Sequence, residues 1–512
     1  MRGPLAFLAI AGLIAPALPA QAPLAGLEAR VSQILKDWNV PGAAVVIVKD
    51  GKPVLVKGYG VRKAGEPAPV DARTQFGIAS LSKAFTSATV MMLADEGKLR
   101  LDDPVVKHLP GFQLKDPYIT RELTIRDLLC HRSGLGLGAG DLMTWGGTWP
   151  RADVLARMKH LPMAHGLRTT YAYQNNGFIV AGAVVEAVAG KPWESVVTER
   201  ILRPLGMSQA NADIAQQAGL ANVATPHSTF QGPLRAISLR SPNHFGPAGA
   251  LNVCAEEMVP WIQLQLGKGS LNGTRFWSQR ASFEMWSPQM LVPNRPPAKD
   301  LAPLGTNYAA YGLGWDLRDY RGHRMVSHTG GLDGMTCMLA LLPEDNLGIA
   351  VLTNAEVPVW RPLIFEIADR FLGVPAFDWS APSLARLKKG QADVAAMEAQ
   401  SEADRLKGTR PSLPLASYAG TWRDAWYGDI ALAVDGEGFA LDMKPSPSFK
   451  AKVTHWHLDT WKATFTDRTI PDALLTFQIG PDGKPTGLRM RPFSPGADFS
   501  YDYQDLDLRP VP

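Results

Sequence analysis

The chain is poor in several things, and each shortage removes a class of protein. Among its 512 residues only three are cysteine, Cys130, Cys254 and Cys337. They are odd in number, far apart and without C-x-x-C spacing. Neither a disulfide framework nor a thiolate metal cluster is encoded, and buried free thiols are expected. The histidines are scattered and no H-E-x-x-H occurs, so zinc hydrolase chemistry has no support and neither a metal nor a cofactor is expected. No G-x-S-x-G elbow is present, which removes the α/β-hydrolase route to a serine nucleophile. Charge is nearly balanced, 52 Lys and Arg against 48 Asp and Glu, with no run of one sign. That leaves no electrostatic case for nucleic acid or an anionic membrane surface as partner. There is no internal repeat, and past the first 22 residues no apolar run is long enough to span a bilayer.

What is present begins with an export signal. Arg2 supplies a short positive segment, residues 5–18 are apolar, and Ala20-Gln21-Ala22 gives a small-x-small cleavage pattern. Pro16 and Pro19 interrupt the run before it reaches the ~20 residues a membrane span needs. Residues 1–22 are expected to be a signal peptide and the mature protein periplasmic or secreted. The whole chain is 46% hydrophobic and 20% charged, ordinary for a folded protein.

Periodicity then sketches the organisation. A helix is expected over 24–38, with Leu27, Val31, Ile34 and Leu35 on one face. A hairpin follows over 43–48 and 53–59 around Asp50-Gly51. A helix apolar on most sides is expected over 80–96, ending at Gly97, and must be buried. Helices at 125–129, 178–189 and 255–266 fill the middle. Short strands return at 311–317, 323–326, 335–342 and 347–353, and a helix at 362–371 closes the unit. Strands at both ends with helices between predict an α+β fold, one antiparallel sheet flanked by helices with an all-helical subdomain inserted. Residues 381–411 read as a linker helix, and 412–512 as a small C-terminal all-β barrel or sandwich built of short alternating segments. The domains expected are therefore 1–22, 23–380, 381–411 and 412–512.

Three short motifs carry chemistry. In Ser80-Leu81-Ser82-Lys83, a helix starting at Ser80 puts Lys83 one turn on, on the same face. The serine hydroxyl then lies at a helix N-terminus, where outward N–H groups favour developing negative charge. In Tyr173-Gln174-Asn175, residues i and i+2 can face one pocket, offering a phenol and a carboxamide. In His328-Thr329-Gly330-Gly331, late on a strand, paired glycines mark close backbone approach, and a strand N–H can supply half of an oxyanion hole. Singly, each is as well read as a helix cap, a core tyrosine beside a turn, and a strand end.

Together and in this order the three motifs resemble those of class C β-lactamases and penicillin-binding-protein-like serine hydrolases, among them D-aminopeptidases, DD-carboxypeptidases and esterases. Leu101-Asp102-Asp103-Pro104, Ser133-Gly134-Leu135 and Pro204-Leu205-Gly206-Met207 fit the same family, and the resemblance covers about 24–375. It implies the β-lactamase/transpeptidase-like fold, followed here by a lipocalin-like barrel. It implies Ser80 as nucleophile, Lys83 and Tyr173 as the groups that accept and return its proton, and Asn175 as orienting Lys83 and binding substrate amide. His328 and Thr329 would line the substrate side beside Gly330, and the N–H of Gly331 would complete the oxyanion hole. Which of Lys83 and Tyr173 is the base stays open. His131 reads as structural.

One departure bears on substrate. Class C β-lactamases usually carry lysine where His328 stands, and a neutral imidazole is a weaker anchor for a β-lactam carboxylate. The expected activity is cleavage of a small ester, amide or short D-amino-acid peptide through a seryl acyl-enzyme, with β-lactamase or a penicillin-binding sensor that does not turn over as the alternatives. Because all three motifs precede residue 411, deleting 412–512 is expected to leave Ser80 reactive toward a small probe.

Overall fold

The computed structural model describes residues 22–240 and 243–512, so the expected signal peptide lies outside the described residues except for its last residue. After an amphipathic helix α1 (Leu27–Asp37), strands β1 (Gly42–Lys49) and β2 (Lys52–Gly60) form the hairpin. The helical part contains α2 (Ser82–Asp95), α3 (Ile125–Leu129), α4 (Asn176–Ala189) and α5 (Ala255–Leu266). Then come β3 (Met290–Leu291), β4 (Ala309–Tyr311), β5 (Asp316–Tyr320), β6 (His323–Leu332), β7 (Met335–Leu342), β8 (Leu347–Thr353) and helix α6 (Trp360–Leu372). They make one eight-stranded sheet ordered β2-β1-β8-β7-β6-β5-β4-β3. The two ends of this domain meet where β1 pairs with β8, Val45 opposite Val351.

Burial on both faces explains why the central strands β1, β7 and β8 are almost wholly apolar. Along β1, Ala44, Val46 and Val48 face one core, while Ala43, Val45 and Ile47 face the other. That is the period-two alternation of a strand covered on each side. The second core is closed by α1, α6 and Trp379, and the first by the helical subdomain. There α2 is buried over nearly its full length, and Phe85 stacks on Trp261 of α5 with centroids 3.7 Å apart.

Several boundaries differ from expectation: the strand expected at 323–326 runs on to Leu332, the linker helix ends at Ala403, and two further differences bear on the site. The strand expected at 311–317 is two strands, because Gly312 donates its N–H to the Trp315 carbonyl and Gly314 takes φ 78°. The helix expected from Ser80 starts at Ser82, preceded by a 3-10 turn over Ala79–Leu81.

Helix α7 (Ser380–Ala403) leads to the second sheet: β9 (Gly420–Asp424), β10 (Gly428–Asp435), β11 (Gly438–Met443), β12 (Lys450–His457), β13 (Thr460–Phe465), β14 (Ala473–Ile479), β15 (Pro485–Pro492) and β16 (Arg509–Pro510). Its order is β15-β14-β13-β12-β11-β10-β9-β16. A bridge between Leu488 and Leu508 brings the two edges together, so the barrel is nearly closed. Apolar packing runs without a break from the first domain into this barrel.

Candidate active site

The Ser80 segment is held under strain. Ala79, just before it, takes φ 47°, a left-handed conformation that costs a non-glycine residue about 1 kcal/mol or more. The neighbours enforce it. Ile78 donates its N–H to the Leu251 carbonyl at 2.9 Å, and the Cys337 thiol donates to the Ile78 carbonyl at 3.3 Å. Strand β6 lies against the same backbone at Gly330, where a Cβ would stand 2.3 Å from the Ile78 carbonyl oxygen. Only glycine permits that approach.

Lys83, on the first turn of α2, is fully buried. Its Nζ lies 2.9 Å from Ser80 Oγ, 2.7 Å from Asn175 Oδ1 and 3.0 Å from the Ala248 carbonyl. Desolvation lowers its pKa strongly, and the charge of Asp141 opposes that only in part. A neutral Lys83 fits these neighbours: two N–H bonds to Asn175 and Ala248, and a lone pair for the serine proton. Asn175 precedes α4, and its Nδ2 donates to Asp141 Oδ2 at 3.0 Å. Asp141, on a 3-10 turn over Asp141–Met143, also accepts the Asn175 N–H at 3.2 Å. Burial raises its pKa.

On the opposite side the Tyr173 hydroxyl donates to Ser80 Oγ at 2.9 Å. Burial pushes the Tyr173 pKa well above the ordinary phenol value, so it stays protonated. Its ring packs against His131 at 4.3 Å between centroids, and His131 Nδ1 accepts the Gln174 N–H. His131 is itself in the left-handed region, φ 58°. Its imidazole is kept neutral by burial and by the nearby charge of Lys83.

His328 sits below the cleft surface, 2% exposed. Its Nδ1 lies 2.6 Å from the Thr329 carbonyl and so carries the proton; Nε2 then accepts the Tyr311 hydroxyl at 2.8 Å. Both nitrogens are engaged within the protein, which leaves no polar atom for a substrate. Burial and the Lys83 charge push the pKa down to about 3. The expected placement of His328 on the substrate side is thus corrected: the imidazole is a neutral support under Tyr311. Thr329 is half-buried and Gly331 exposed, with open space where its Cβ would be. Pairing of β6 with β5 ends at Ser327 opposite Asp316, so along 328–332 the second edge of β6 is unpaired and can offer an N–H to a ligand.

The structure brings Ser80, Lys83, Tyr173 and Asn175 together as expected. Sequence reasoning missed Asp141 and Tyr311. The density of glycine over residues 134–140 was the one signal for the first, marking a tight loop beside the site. The C-terminal domain, whose deletion was expected to leave Ser80 reactive, reaches the site. Phe499, in the segment between β15 and β16, meets the Tyr173 ring edge-on at 6.1 Å, and Trp145 stacks on Tyr501 at 5.4 Å. Among the described residues no group of three or more His, Cys, Asp and Glu is arranged to hold a metal ion, and no helix is long and apolar enough to cross a membrane.

A serine next to a strained alanine, bonded to both a buried lysine and a tyrosine on a mixed sheet-and-helix domain, defines the penicillin-binding-protein-like class of serine hydrolases. The chain belongs to the Beta-lactamase family, whose model matches residues 27–368. A second model, for a domain of unknown function, DUF3471, matches residues 404–510. The chain is 30% identical to penicillin-binding protein 4 of Amycolatopsis lactamdurans over 67% of this chain and 89% of that one. It is 28% identical to the unguisins hydrolase ungD of Aspergillus violaceofuscus over 81% of this chain and 77% of that protein. The octameric penicillin-binding protein homologue from Pyrococcus abyssi superposes with a TM-score of 0.62 at 21% identity, covering 91% of this chain and 98% of its own. SurE superposes at 0.56 with 19% identity, over 96% and 100%.

Proposed function

We propose that this protein is an exported hydrolase that cleaves an ester or amide bond, in a carboxylic ester or a D-amino-acid peptide, through an acyl-enzyme on Ser80. The observation that carries the reading is Ser80 Oγ lying 2.9 Å from both Lys83 Nζ and Tyr173 OH. Burial lowers the proton affinity of Lys83 and raises that of Tyr173, so the amine, not the phenol, takes the serine proton in the free enzyme. Ser80 Oγ attacks the carbonyl carbon, the proton passes to Lys83 Nζ, and the oxyanion is met by the Ser80 N–H and the Gly331 N–H on the open edge of β6. The Tyr173 hydroxyl hands its proton to the leaving oxygen or nitrogen, and Lys83 then returns the proton it took from Ser80 to the Tyr173 phenolate. Water then repeats the sequence on the acyl group. A relative with hydrolase in its name supports turnover rather than mere acylation.

Neutral substrates suit this site because His328 offers neither charge nor a free nitrogen. A panel of p-nitrophenyl esters, D-aminoacyl p-nitroanilides and nitrocefin tests the reading. Esters or D-aminoacyl amides should exceed nitrocefin in kcat/KM, with sustained turnover. Nitrocefin as the best substrate would make this a β-lactamase, and a burst without turnover would make it a penicillin-binding sensor.

A further inference from the structure

The barrel does more than sit beside the hydrolase domain: it places a carboxylate inside it. Asp502 is 0% exposed. Its Oδ2 accepts the N–H of Gly140 at 2.7 Å and its Oδ1 the N–H of Leu142 at 2.8 Å. These are the residues on either side of Asp141. The path from the barrel to the nucleophile is therefore short and unbroken: Asp502 pins the backbone of Asp141, Asp141 holds both nitrogens of Asn175, and Asn175 holds Lys83, which touches Ser80.

Packing alone does not account for this carboxylate. Burying an acid is costly unless a cation pairs with it, and among the described residues none does; two backbone N–H groups are its recorded partners. Asp141, a second buried acid, lies close enough that its charge raises the Asp502 pKa further. The neighbouring residues fix the same segment. Trp145 Nε1 donates to Ser500 Oγ at 3.1 Å. Arg240 donates to the Tyr501 hydroxyl at 2.9 Å. Gly138, at φ 68°, has no room for a side chain because a Cβ would meet the Phe499 ring and carbonyl at 2.8 Å, and its N–H donates to the Tyr173 carbonyl at 2.8 Å. Phe499 itself remains 41% exposed beside Tyr173.

We infer that the segment 498–502 of the C-terminal domain completes the active site, with Asp502 as a positioning residue for Lys83 and Phe499 as an apolar wall that selects substrates carrying a bulky apolar group next to the scissile bond. The inference rests on Ser80 being the acylated residue, as proposed above. It gives the DUF3471 module a task in this chain: setting the geometry of the lysine and one side of the specificity pocket.

The test uses the full-length protein and two fluorophosphonates, one with a methyl and one with a benzyl substituent, with kinact and KI measured separately and folding followed by circular dichroism. Asp502→Ala should lower kinact by about ten- to a hundredfold with little change in KI, the pattern of a misplaced base rather than a lost binding contact. Asp502→Asn, which keeps one acceptor for the two N–H groups, should recover part of that loss. Phe499→Ala, at an exposed position that folding tolerates, should raise KI for the benzyl probe roughly tenfold more than for the methyl probe. Wild-type kinact in folded Asp502→Ala, or no recovery in folded Asp502→Asn relative to Asp502→Ala, overturns the positioning role. Equal changes in KI for both probes in Phe499→Ala overturn the wall. Wild-type protein that is not labelled on Ser80 would instead refute the underlying reading, so the two failures are distinguishable.

Discussion

On one side of Ser80 Oγ stand an amine, a carboxamide and two buried acids; on the other stand rings. Lys83, Asn175, Asp141 and Asp502 form a hydrogen-bonded line that ends in the barrel. Tyr173, His131, Tyr311 and His328 form an aromatic cluster within the hydrolase domain, with ring centroids 4.3 to 6.2 Å apart. Burial acts on both, with different results. In the aromatic cluster it holds every member neutral: both imidazoles are pushed down and both phenols up. In the polar line it pushes Lys83 down and Asp141 up, so an amine and an acid approach each other in proton affinity. The polar line is where charge changes. The aromatic cluster supplies geometry and a proton that is always present.

The sharpest break in this comparison removes the atom both sides share. Ser80→Ala should cut turnover to below about a hundredth of wild-type while leaving the fold intact; a larger residual rate would move the chemistry elsewhere. Next, Lys83→Ala and Tyr173→Phe should each depress acylation strongly, and the double variant should lose far less than the product of the single losses, because a relay fails as a unit. Additive losses in log rate would mean the two sides work independently.

The two sides should then separate in pH dependence. Lys83 accepts the proton only when deprotonated, and burial lowers its pKa far below the ordinary 10.5. Acylation should therefore fall as pH drops through the neutral range, and rise to a plateau above it, without waiting for strongly alkaline conditions. Tyr173→Phe should be slower at every pH but keep that acid limb, whereas Lys83→Ala should lose it. An acid limb that survives in Lys83→Ala would assign the titration to another group.

The smallest effect belongs to the support under the aromatic cluster. His328→Lys puts an ammonium beside the Tyr311 hydroxyl and the Thr329 carbonyl, both able to accept its protons. It should narrow the kcat/KM gap between a neutral ester and nitrocefin by roughly 1 kcal/mol, through attraction to the β-lactam carboxylate. A gap that stays the same would mean the position does not act on the ligand at all.

How far each side could be read from sequence follows from how it is built. Ser80 and Lys83 are one helical turn apart, and Tyr173 and Asn175 are neighbours but one; local spacing carries them. The apolar runs of β1, β7 and β8 were equally local, and the sheet followed from strands at both ends of the domain. Asp141, Tyr311 and Asp502 come from three distant segments that meet only through tertiary packing, and no periodicity links them. Ser80 itself was misplaced by two residues relative to its helix, because the strain at Ala79 comes from β6 and Cys337 pressing on its backbone. His328 was expected on the substrate side because the resemblance implies it, and a resemblance does not tell that Tyr311 will cap the ring.

The most direct test of the account is to quench wild-type protein during reaction with a p-nitrophenyl ester and locate the acyl group by peptide mass spectrometry. The account predicts a single adduct on the peptide containing Ser80, formed and lost at rates that match turnover. An adduct on any other residue, or steady hydrolysis with Ser80 never acylated in wild type and unaffected in Ser80→Ala, would contradict it.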